Sequence, residues 1–286
     1  MAYAEVRGTR LAWQQIGSGP DLIFLHGVAA NRAFWFPMAM PFAAHFRVTL
    51  FDLRGHGYSD RAPSGYASAD LGRDLLALMD ALEIDQAIAV GHSYGGGAAL
   101  EAAALAPHRF PRLVLADVRV QRLQPEMRLS DFEARSGFEQ ALVDRAGGAQ
   151  ALSQETQIGF RFLEASARLK VSGAAPGGSD EFIPFGEGSG ALRAARSWLA
   201  LLDETEARQE FPQAGATTEQ LRGVDMPVLL LYGERSRCWP SATALAQLLP
   251  HRQTRSVPGG GHFFPISQPA FTLAALQEFL GVRISP

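Results

Sequence analysis

The chain has 286 residues, of which 47% are hydrophobic and 19% are charged, and its formal net charge is -3. This length suits one α/β domain with an insertion, or two small domains, and allows a large buried core. The slightly acidic balance provides no basic field, so neither a nucleic acid nor an acidic membrane surface is expected as a partner.

Cysteine usage and the N-terminal residues predict the compartment. A single cysteine, Cys238, excludes an internal disulfide and gives no reason to expect an oxidising environment. The first fifteen residues lack a basic segment followed by an apolar run, and no stretch reaches the ~18 apolar residues of a membrane helix. We therefore expect a cytoplasmic protein. The oligomeric state does not follow from these features, and a homodimer stays open.

Apolar runs alternate with helical patterns along much of the chain. Short apolar or alternating runs predict strands at 2–7, 10–16, 21–25, 46–51, 87–90, 112–116, 228–232 and, as an edge strand, 252–257. A leucine stripe at helical spacing, Leu71, Leu75, Leu78 and Leu82, predicts a helix ahead of the strand at 87–90, and 271–280 predicts a C-terminal helix. Strands that alternate with helices indicate a mostly parallel sheet covered on both faces.

The alternation breaks between Val118 and about Arg222, where polar helical stretches and a Gly/Ser/Pro-rich interval at 172–190 replace it. We expect residues 119–222 to form a helical cap inserted into a core made of 1–118 and 223–286, with the glycine-rich interval as a mobile loop. Aromatic residues of the insertion are expected either in the cap's own core or in the wall of an apolar pocket. They are Phe132, Phe138, Phe160, Phe162, Phe182, Phe185 and Trp198.

Residues 89–97 read Ala-Val-Gly-His-Ser-Tyr-Gly-Gly-Gly, so an apolar run enters a GxSxG pentapeptide centred on Ser93. The glycines two positions before and after the serine, Gly91 and Gly95, remove the Cβ atoms that would collide in a sharp strand-to-helix turn. Such a turn holds the serine at a strained backbone angle with its hydroxyl above the sheet. The pattern predicts a nucleophile elbow with Ser93 as the nucleophile.

A second glycine-containing segment, His26-Gly27-Val28, directly follows the strand predicted at 21–25. The glycine lets the backbone turn so that the amide of Val28 can face the serine. Together with the amide of Tyr94, it predicts an oxyanion hole with two donors. We expect His26 to hold this loop by hydrogen bonds rather than to transfer protons.

A glycine run at 259–261 precedes His262, between the last predicted strand and the last predicted helix. Such a flexible run lets an imidazole reach over the carboxyl edge of a sheet, and the pKa of histidine suits a side chain that accepts a serine proton near neutral pH. His262 also follows Ser93 in the chain order serine, acid, histidine. We predict that His262 is the general base.

These motifs together resemble the α/β-hydrolase superfamily, in the branch of small cap-bearing esterases, C–C bond hydrolases and cofactor-free perhydrolases. The resemblance covers nearly the whole chain, and its motifs are specific for the fold but poor guides to the substrate. The matching segments are Leu25-His26-Gly27, residues 51–60 (FDLRGHGYSD), residues 90–96 (VGHSYGG), residues 228–234 (VLLLYGE) and residues 261–265 (GHFFP). The resemblance implies an α/β-hydrolase fold, in which Asp52 and Arg54 tie loop backbones together.

The position of the triad acid departs from the family pattern. The acid usually follows the strand predicted here at 228–232, in a GxxD pattern, but this chain has Ser236 at the aspartate position. Serine cannot carry the charge that fixes the histidine tautomer and stabilises the imidazolium. Asp117, which ends the strand predicted at 112–116, is the first candidate, since some members, certain haloalkane dehalogenases among them, carry their acid there. Glu234 is the alternative acid, and a Ser-His dyad without an acid is the third interpretation.

The function predicted from these residues is that of a serine hydrolase acting on a small-molecule ester, thioester or lactone. C–C bond hydrolysis and acyl transfer by a cyclase are the alternatives within the enzyme class, and a hydrolase-like small-molecule receptor is the alternative outside it. Ser93 replaces the aspartate nucleophile of haloalkane dehalogenases and epoxide hydrolases, which argues against both reactions. No cofactor is expected, and no spacing of histidine, cysteine and acidic residues indicates a metal site. We interpret Cys238, three residues ahead of a predicted helix start, as a packed or partly exposed bystander.

Overall fold

Eight strands form one sheet in the computed structural model, which describes residues 1–131, 135–174, 184–185, 188 and 190–284. The strands are β1 (Ala2–Val6), β2 (Thr9–Ile16), β3 (Asp21–Leu25), β4 (Arg47–Phe51), β5 (Ala87–His92), β6 (Leu113–Ala116), β7 (Val228–Gly233) and β8 (Arg252–Val257). Their order across the sheet is β1-β2-β4-β3-β5-β6-β7-β8. The β1–β2 and β2–β4 pairs are antiparallel and every later neighbouring pair is parallel. The mostly parallel sheet is therefore confirmed, and the predicted strand ends differ from the observed ones by at most two residues.

The central strands are buried on both faces, which explains their continuous apolar runs. All residues of β5, β6 and β7 are buried, whereas β8 exposes most of its residues as predicted for an edge strand. Alternate residues of β7 serve two different cores: Leu230 packs in one apolar cluster, and Leu229 and Leu231 pack in the other. The sheet thus separates two hydrophobic layers.

Helices cover both faces of the sheet. Those described are α1 (Phe36–Ala39), α2 (Ser68–Ala81), α3 (Ser93–Leu105), α4 (Gly137–Arg145), α5 (Ile158–Ser172), α6 (Ala191–Glu204), α7 (Ala207–Glu210), α8 (Thr218–Arg222), α9 (Trp239–Leu248), α10 (Phe264–Ser267) and α11 (Pro269–Leu280). The predicted leucine stripe lies on α2, where Leu71, Leu75 and Leu78 are buried, and Leu82 lies just past its end. The helix α11 packs on the opposite face through Leu276 and its neighbours. None of the described helices combines the length and apolarity that crossing a membrane requires.

Helices α4 to α8 lie between β6 and β7, in the segment for which a cap is predicted. Capping boxes fix two of their starts, at Ser136 for α4 and at Thr217 for α8. Helices α5 and α7 are joined by Glu164, whose carboxylate accepts from Arg208 and Arg168. The Arg208 hydrogen bond, opposed by partial burial and reinforced by Arg168, lowers the pKa of Glu164 to about 2.

The aromatic residues of this segment divide between core and cavity. Trp198 is buried in the apolar cluster that contains Leu230. The partly buried Phe185 packs against this cluster. Phe138, Phe160 and Phe162 also contact that cluster, and all three line a cavity described below. Phe132, Phe182 and most of the glycine-rich interval at 172–190 lie outside the described residues.

Candidate active site

The turn between β5 and α3 holds Ser93 in a strained conformation. Its φ is +53°, in the left-handed region that side chains other than glycine rarely adopt. A Cβ atom on Gly91 would collide with the backbone of Gly96, and one on Gly95 would collide with the carbonyl oxygen of His26. The two glycines therefore allow the close approach of strand, helix and neighbouring loop that places the serine, as the sequence pattern predicts.

His262 lies between the serine and a carboxylate. Its Nε2 atom is 3.0 Å from Oγ of Ser93, and its Nδ1 atom is 2.9 Å from Oδ1 of Asp117. The imidazole is about one-third exposed, whereas the Asp117 side chain is fully buried. Because all three residues follow the carboxyl ends of parallel strands, the sheet brings them to one edge although 169 residues separate Ser93 from His262.

The carboxylate of Asp117 is held by donors from the loop after β7. The backbone N–H of Gly233 donates to Oδ2 at 2.8 Å, and the hydroxyl of Ser236 donates to Oδ1. Asp117 itself has a φ of +52°, a second strained backbone directly after β6. The serine at the usual aspartate position thus supports an aspartate on the adjacent strand, a contact that the sequence analysis missed.

Glu234, the alternative acid, is engaged elsewhere. Its Oε2 atom accepts the backbone N–H of Gly259 at 2.7 Å, and no hydrogen bond joins it to His262 among the described residues. Of the two candidate carboxylates, the structure therefore brings Asp117 to His262. Glu234 instead binds the backbone of the loop that precedes His262.

The loop after β3 packs directly against the nucleophile turn. A Cβ atom placed on Gly27 would lie 3.0 Å from Cβ of Ser93, so the backbone passes close to the serine. His26 fixes this loop: its Nδ1 atom is 2.7 Å from the carbonyl oxygen of Gly27, and its Nε2 atom accepts the N–H of Leu53 at 3.0 Å. Burial lowers the pKa of His26 to about 4, which keeps the ring neutral. The loop-holding role expected for His26 is confirmed.

Asp52 and Arg54 also tie loops together, as the family resemblance implies. Asp52 accepts the backbone N–H groups of Arg32 (2.7 Å) and Tyr58 (2.9 Å). Arg54 forms a two-bond ion pair with the buried Asp74 at 2.8 Å. Both residues stabilise the strand-end loops beside the site rather than the reacting groups.

A cavity of about 820 Å³ opens above the serine, within the range of small-molecule sites. Ser93, His262, Val28 and Tyr94 all line it. Helices between β6 and β7 contribute further lining residues, among them Phe138, Phe160 and Phe162. The residues predicted to supply the nucleophile, the base and both oxyanion donors therefore share one cavity.

Cys238 is packed in the apolar core, as the sequence suggests, but it lies closer to a helix start than predicted. It is the residue immediately before α9, so the prediction that it lies three residues ahead of a helix is wrong. Burial, and then the neighbouring Asp117 carboxylate, raises the pKa of its thiol well above the usual value. Its position follows from the loop of residues 234–238, which folds back onto Asp117, and a local pattern does not reveal such a fold.

The same loop brings three potential metal ligands together. Ligand atoms of Asp117, Cys238 and His262 lie within 4.8 Å of one another. Two of these side chains are already joined to each other by a hydrogen bond, and a thiol with a raised pKa stays protonated, whereas Zn²⁺ binds a thiolate. The cluster is explained as a hydrogen-bonded group, and the absence of a metal requirement stays a prediction.

Comparison with known proteins agrees with this architecture. A family model described as alpha/beta hydrolase fold matches residues 20–269. A 2-(acetamidomethylene)succinate hydrolase from Mesorhizobium japonicum is 30% identical over 271 residues, which are 92% of this chain and 89% of that protein. A pimeloyl-[acyl-carrier protein] methyl ester esterase from Xanthomonas oryzae pv. oryzae is 28% identical over 285 residues, with 93% and 96% covered.

Solved structures show the same fold at lower identity. The chain superposes on Est816, described as an N-acyl homoserine lactone degrading enzyme, with a TM-score of 0.68 and 23% identity over 97% of this chain and 100% of that chain. The enol-lactonase from Burkholderia xenovorans LB400 gives a TM-score of 0.66 with 21% identity over 98% and 100% of the two chains. The chain belongs to the α/β-hydrolase family and is an enzyme of the hydrolase class.

Proposed function

We propose that this enzyme is a serine hydrolase that cleaves a small-molecule ester, thioester or lactone through an acyl-enzyme on Ser93. The observation that carries the proposal is the position of His262, whose two ring nitrogens lie 3.0 Å from Oγ of Ser93 and 2.9 Å from Oδ1 of Asp117. A nucleophile, a base and an orienting acid within hydrogen-bond reach are what acyl transfer requires.

In the first half of the reaction, Oγ of Ser93 attacks the substrate carbonyl while Nε2 of His262 accepts the hydroxyl proton. The negative charge of the tetrahedral intermediate then develops beside the amides of Val28 and Tyr94. Tyr94 is the second residue of α3, so its N–H lies in the first turn, has no acceptor within the helix and can donate to this oxygen. His262 then gives the proton to the leaving group.

In the second half, His262 activates a water molecule that hydrolyses the acyl-enzyme and restores the serine. Asp117 accepts a hydrogen bond from the Nδ1–H group of His262 throughout, which fixes the tautomer and stabilises the imidazolium. The donors from Gly233 and Ser236 stabilise the buried charge of the carboxylate, which supports Asp117 rather than Glu234 as the acid.

Residues 119–222 act as the cap in this proposal, over a core of 1–118 and 223–286. The support is that α4 and α5 contribute Phe138, Phe160 and Phe162 to the wall of the cavity that contains the serine. The substrate would therefore bind between core and cap, with its carbonyl at Ser93.

Two relatives that match over nearly the whole chain bear names of hydrolytic enzymes, one of them a methyl ester esterase. These names favour cleavage with water as acceptor over acyl transfer to an internal hydroxyl or amine.

A fluorophosphonate probe tests the proposal, because it forms a stable bond only with an activated serine. We expect the wild-type protein to be labelled and Ser93→Ala to be unlabelled. Ser267→Ala is a matched control, since this serine lines the same cavity and its hydroxyl, among the described residues, hydrogen-bonds only to the carbonyl of Phe263. It should be labelled like the wild type.

A substrate panel then separates the alternatives. We expect acyl esters and lactones to be cleaved and vinylogous diketones to be left intact. Preferred cleavage of the diketones would indicate a C–C bond hydrolase. A folded wild-type protein that neither reacts with the probe nor cleaves any member of the panel would contradict the proposal and favour a receptor.

A further inference from the structure

The loop after β6 places a buried cation in the wall of the catalytic cavity. Arg119 follows Asp117 by two residues, is 9% exposed, and lines the cavity that contains Ser93 and His262. Within the described part of the chain it forms no ion pair. Asp131 lines the same cavity, but it is exposed and forms neither an ion pair nor a hydrogen bond with Arg119. Arg119 therefore brings an uncompensated positive charge to this cavity.

The acceptors around Arg119 are all neutral. Its Nε donates to the carbonyl of Gln124 at 2.9 Å, its Nη2 to the carbonyl of Pro125 at 2.7 Å, and its Nη1 to Oε1 of Gln157 at 2.8 Å. These three bonds orient the guanidinium and fasten the loop to the start of α5. A guanidinium has five N–H groups, so two remain without an acceptor among the described residues.

The other arginines that line this cavity are either paired or exposed. Arg135 is exposed and donates to Oε1 of Gln140 at 3.1 Å. Arg237, in the same cavity, forms an ion pair with Glu139 of α4. Arg235 donates twice to the carbonyl of Gly259 and is exposed to solvent, which screens its charge. Arg119 thus combines burial with the lack of a described counterion.

A second buried polar side chain lies on the same loop. Gln121 is 3% exposed and lines the cavity, yet its amide makes no hydrogen bond with any residue that the structure describes. Residues 119 and 121 thus offer the cavity a guanidinium with two unused N–H groups and an unused amide. Buried polar groups normally have partners, and buried charges normally have counterions.

We infer that Arg119 and Gln121 form a subsite for a carboxylate group of the substrate. A carboxylate can accept hydrogen bonds from both remaining N–H groups of the guanidinium. The side-chain N–H of Gln121 can donate a further hydrogen bond to the same carboxylate. The inference rests on the proposed function, because it assumes that the same cavity holds the ester. It narrows the substrate to an ester, thioester or lactone that carries a carboxylate.

Matched substrates test this subsite. Mono-4-nitrophenyl adipate and 4-nitrophenyl hexanoate share the acyl length and differ by a terminal carboxylate on the acyl side. The second pair, 4-carboxyphenyl hexanoate and phenyl hexanoate, places the carboxylate on the alcohol side. We expect wild-type kcat/KM to favour the acid of at least one pair by about tenfold or more, the range of a charge-assisted hydrogen bond.

The variants are Arg119→Gln, Arg119→Lys and Gln121→Glu. We expect the acid-to-neutral ratio to fall by about tenfold or more in Arg119→Gln and to be partly retained in Arg119→Lys. Gln121→Glu keeps Arg119 and its loop contacts but supplies an internal counterion, so it should lower the ratio similarly. Arg122→Gln, which removes an exposed charge one residue further along, is the control and should keep the wild-type ratio.

Adipate binding by isothermal titration calorimetry separates this inference from the proposed function, because binding needs no turnover. Adipate that binds wild type and binds Arg119→Gln about tenfold more weakly supports the subsite even if no ester is cleaved. Ester cleavage without an acid preference in either pair overturns the inference and leaves the proposed function intact. A preference that survives in both Arg119→Gln and Gln121→Glu also overturns it.

Discussion

Two neighbouring turns at the carboxyl edge of the sheet reach the same strained backbone by different means. Ser93 follows β5 with a φ of +53°, and Asp117 follows β6 with a φ of +52°. Glycines on both sides of the serine make room for the first turn. Around Asp117 there is no such pair, and its carboxylate is fixed instead by hydrogen bonds from Gly233 and Ser236.

The difference explains why one turn is visible in the sequence and the other is not. The steric requirement at Ser93 is local, so it leaves a GxSxG pattern. The partners of Asp117 lie 116 and 119 residues away and reach it only because β6 and β7 pair in parallel. A nucleophile held by local sterics and an acid held by long-range contacts should respond differently to substitution.

The largest effect is expected at the acid itself. Asp117→Asn keeps the shape of the side chain but removes the charge that orients His262, so kcat should fall by about 10²–10⁴. Glu234→Gln is the matched substitution at the other candidate and should change kcat by less than about threefold, since Glu234 contacts the backbone of Gly259. Steady-state kinetics on a chromogenic ester measures both.

Near-full activity of Asp117→Asn, together with a large loss in Glu234→Gln, would assign the acid to the loop after β7. Equal activity of both variants and wild type would favour a Ser-His dyad.

The second prediction concerns the glycines of the nucleophile turn. A Cβ on Gly95 would collide with the carbonyl of His26, whereas one on Gly97 would meet only Cβ of Ser68, at 3.9 Å. Gly95→Ala should therefore lower the free energy of unfolding by about 3 kcal/mol. Gly97→Ala should leave it unchanged or raise it by up to about 1 kcal/mol, because alanine is the better helix former. Urea denaturation compares the two, and equal stability of both variants would contradict the steric account of this turn.

The third prediction concerns His26, in the loop beside Ser93, and its effect on how stability depends on pH. Burial lowers the pKa of His26 to about 4 in the folded state, so between that pH and about 6.5 the unfolded state binds a proton that the folded state does not. Stability should fall as the pH falls through this window, and His26 should contribute about 1 kcal/mol per pH unit to the slope.

His26→Gln removes the titrating group and retains an acceptor for the N–H of Leu53. Its unfolding free energy, measured by urea denaturation between pH 7 and pH 4.5, should therefore depend less on pH than that of wild type. Parallel curves for the two proteins would show that His26 is not held neutral in the folded state.

The fourth prediction concerns Ser236, where the loss of activity is expected to be smaller than at Asp117. Ser236→Ala removes one of the donors to Asp117 and leaves the N–H of Cys238 without its acceptor, so kcat should fall by roughly 5- to 30-fold, less than in Asp117→Asn. Ser236→Thr keeps the hydroxyl and should restore most of the activity. A loss in Ser236→Thr as large as that in Ser236→Ala would mean that packing, and not the hydrogen bond, is what matters at this position.

Much of the fold is predictable because its signals are local. The buried strands appear as short apolar runs and α2 as a leucine stripe, and strand ends shift by only a residue or two. Motifs with a fixed place in this fold predict the nucleophile elbow. They also predict that His26 holds its loop and that His262 approaches Ser93.

The rest of the site depends on contacts between distant segments. The loop at 234–238 folds back onto Asp117. This fold buries Cys238 and lets the hydroxyl of Ser236 donate a hydrogen bond to the Asp117 carboxylate. The burial of Arg119 likewise depends on Gln124, Pro125 and Gln157 meeting around its guanidinium. Local periodicity carries no information about such pairings.

The most direct test is to trap the covalent intermediate. Wild-type protein is mixed with a 4-nitrophenyl ester, quenched in acid within the first turnover, digested and analysed by mass spectrometry. We expect the acyl group on the peptide that contains Ser93, and no acylated peptide in Ser93→Ala. Turnover that leaves Ser93 unmodified, or an acyl group found on Cys238 instead, would contradict the account.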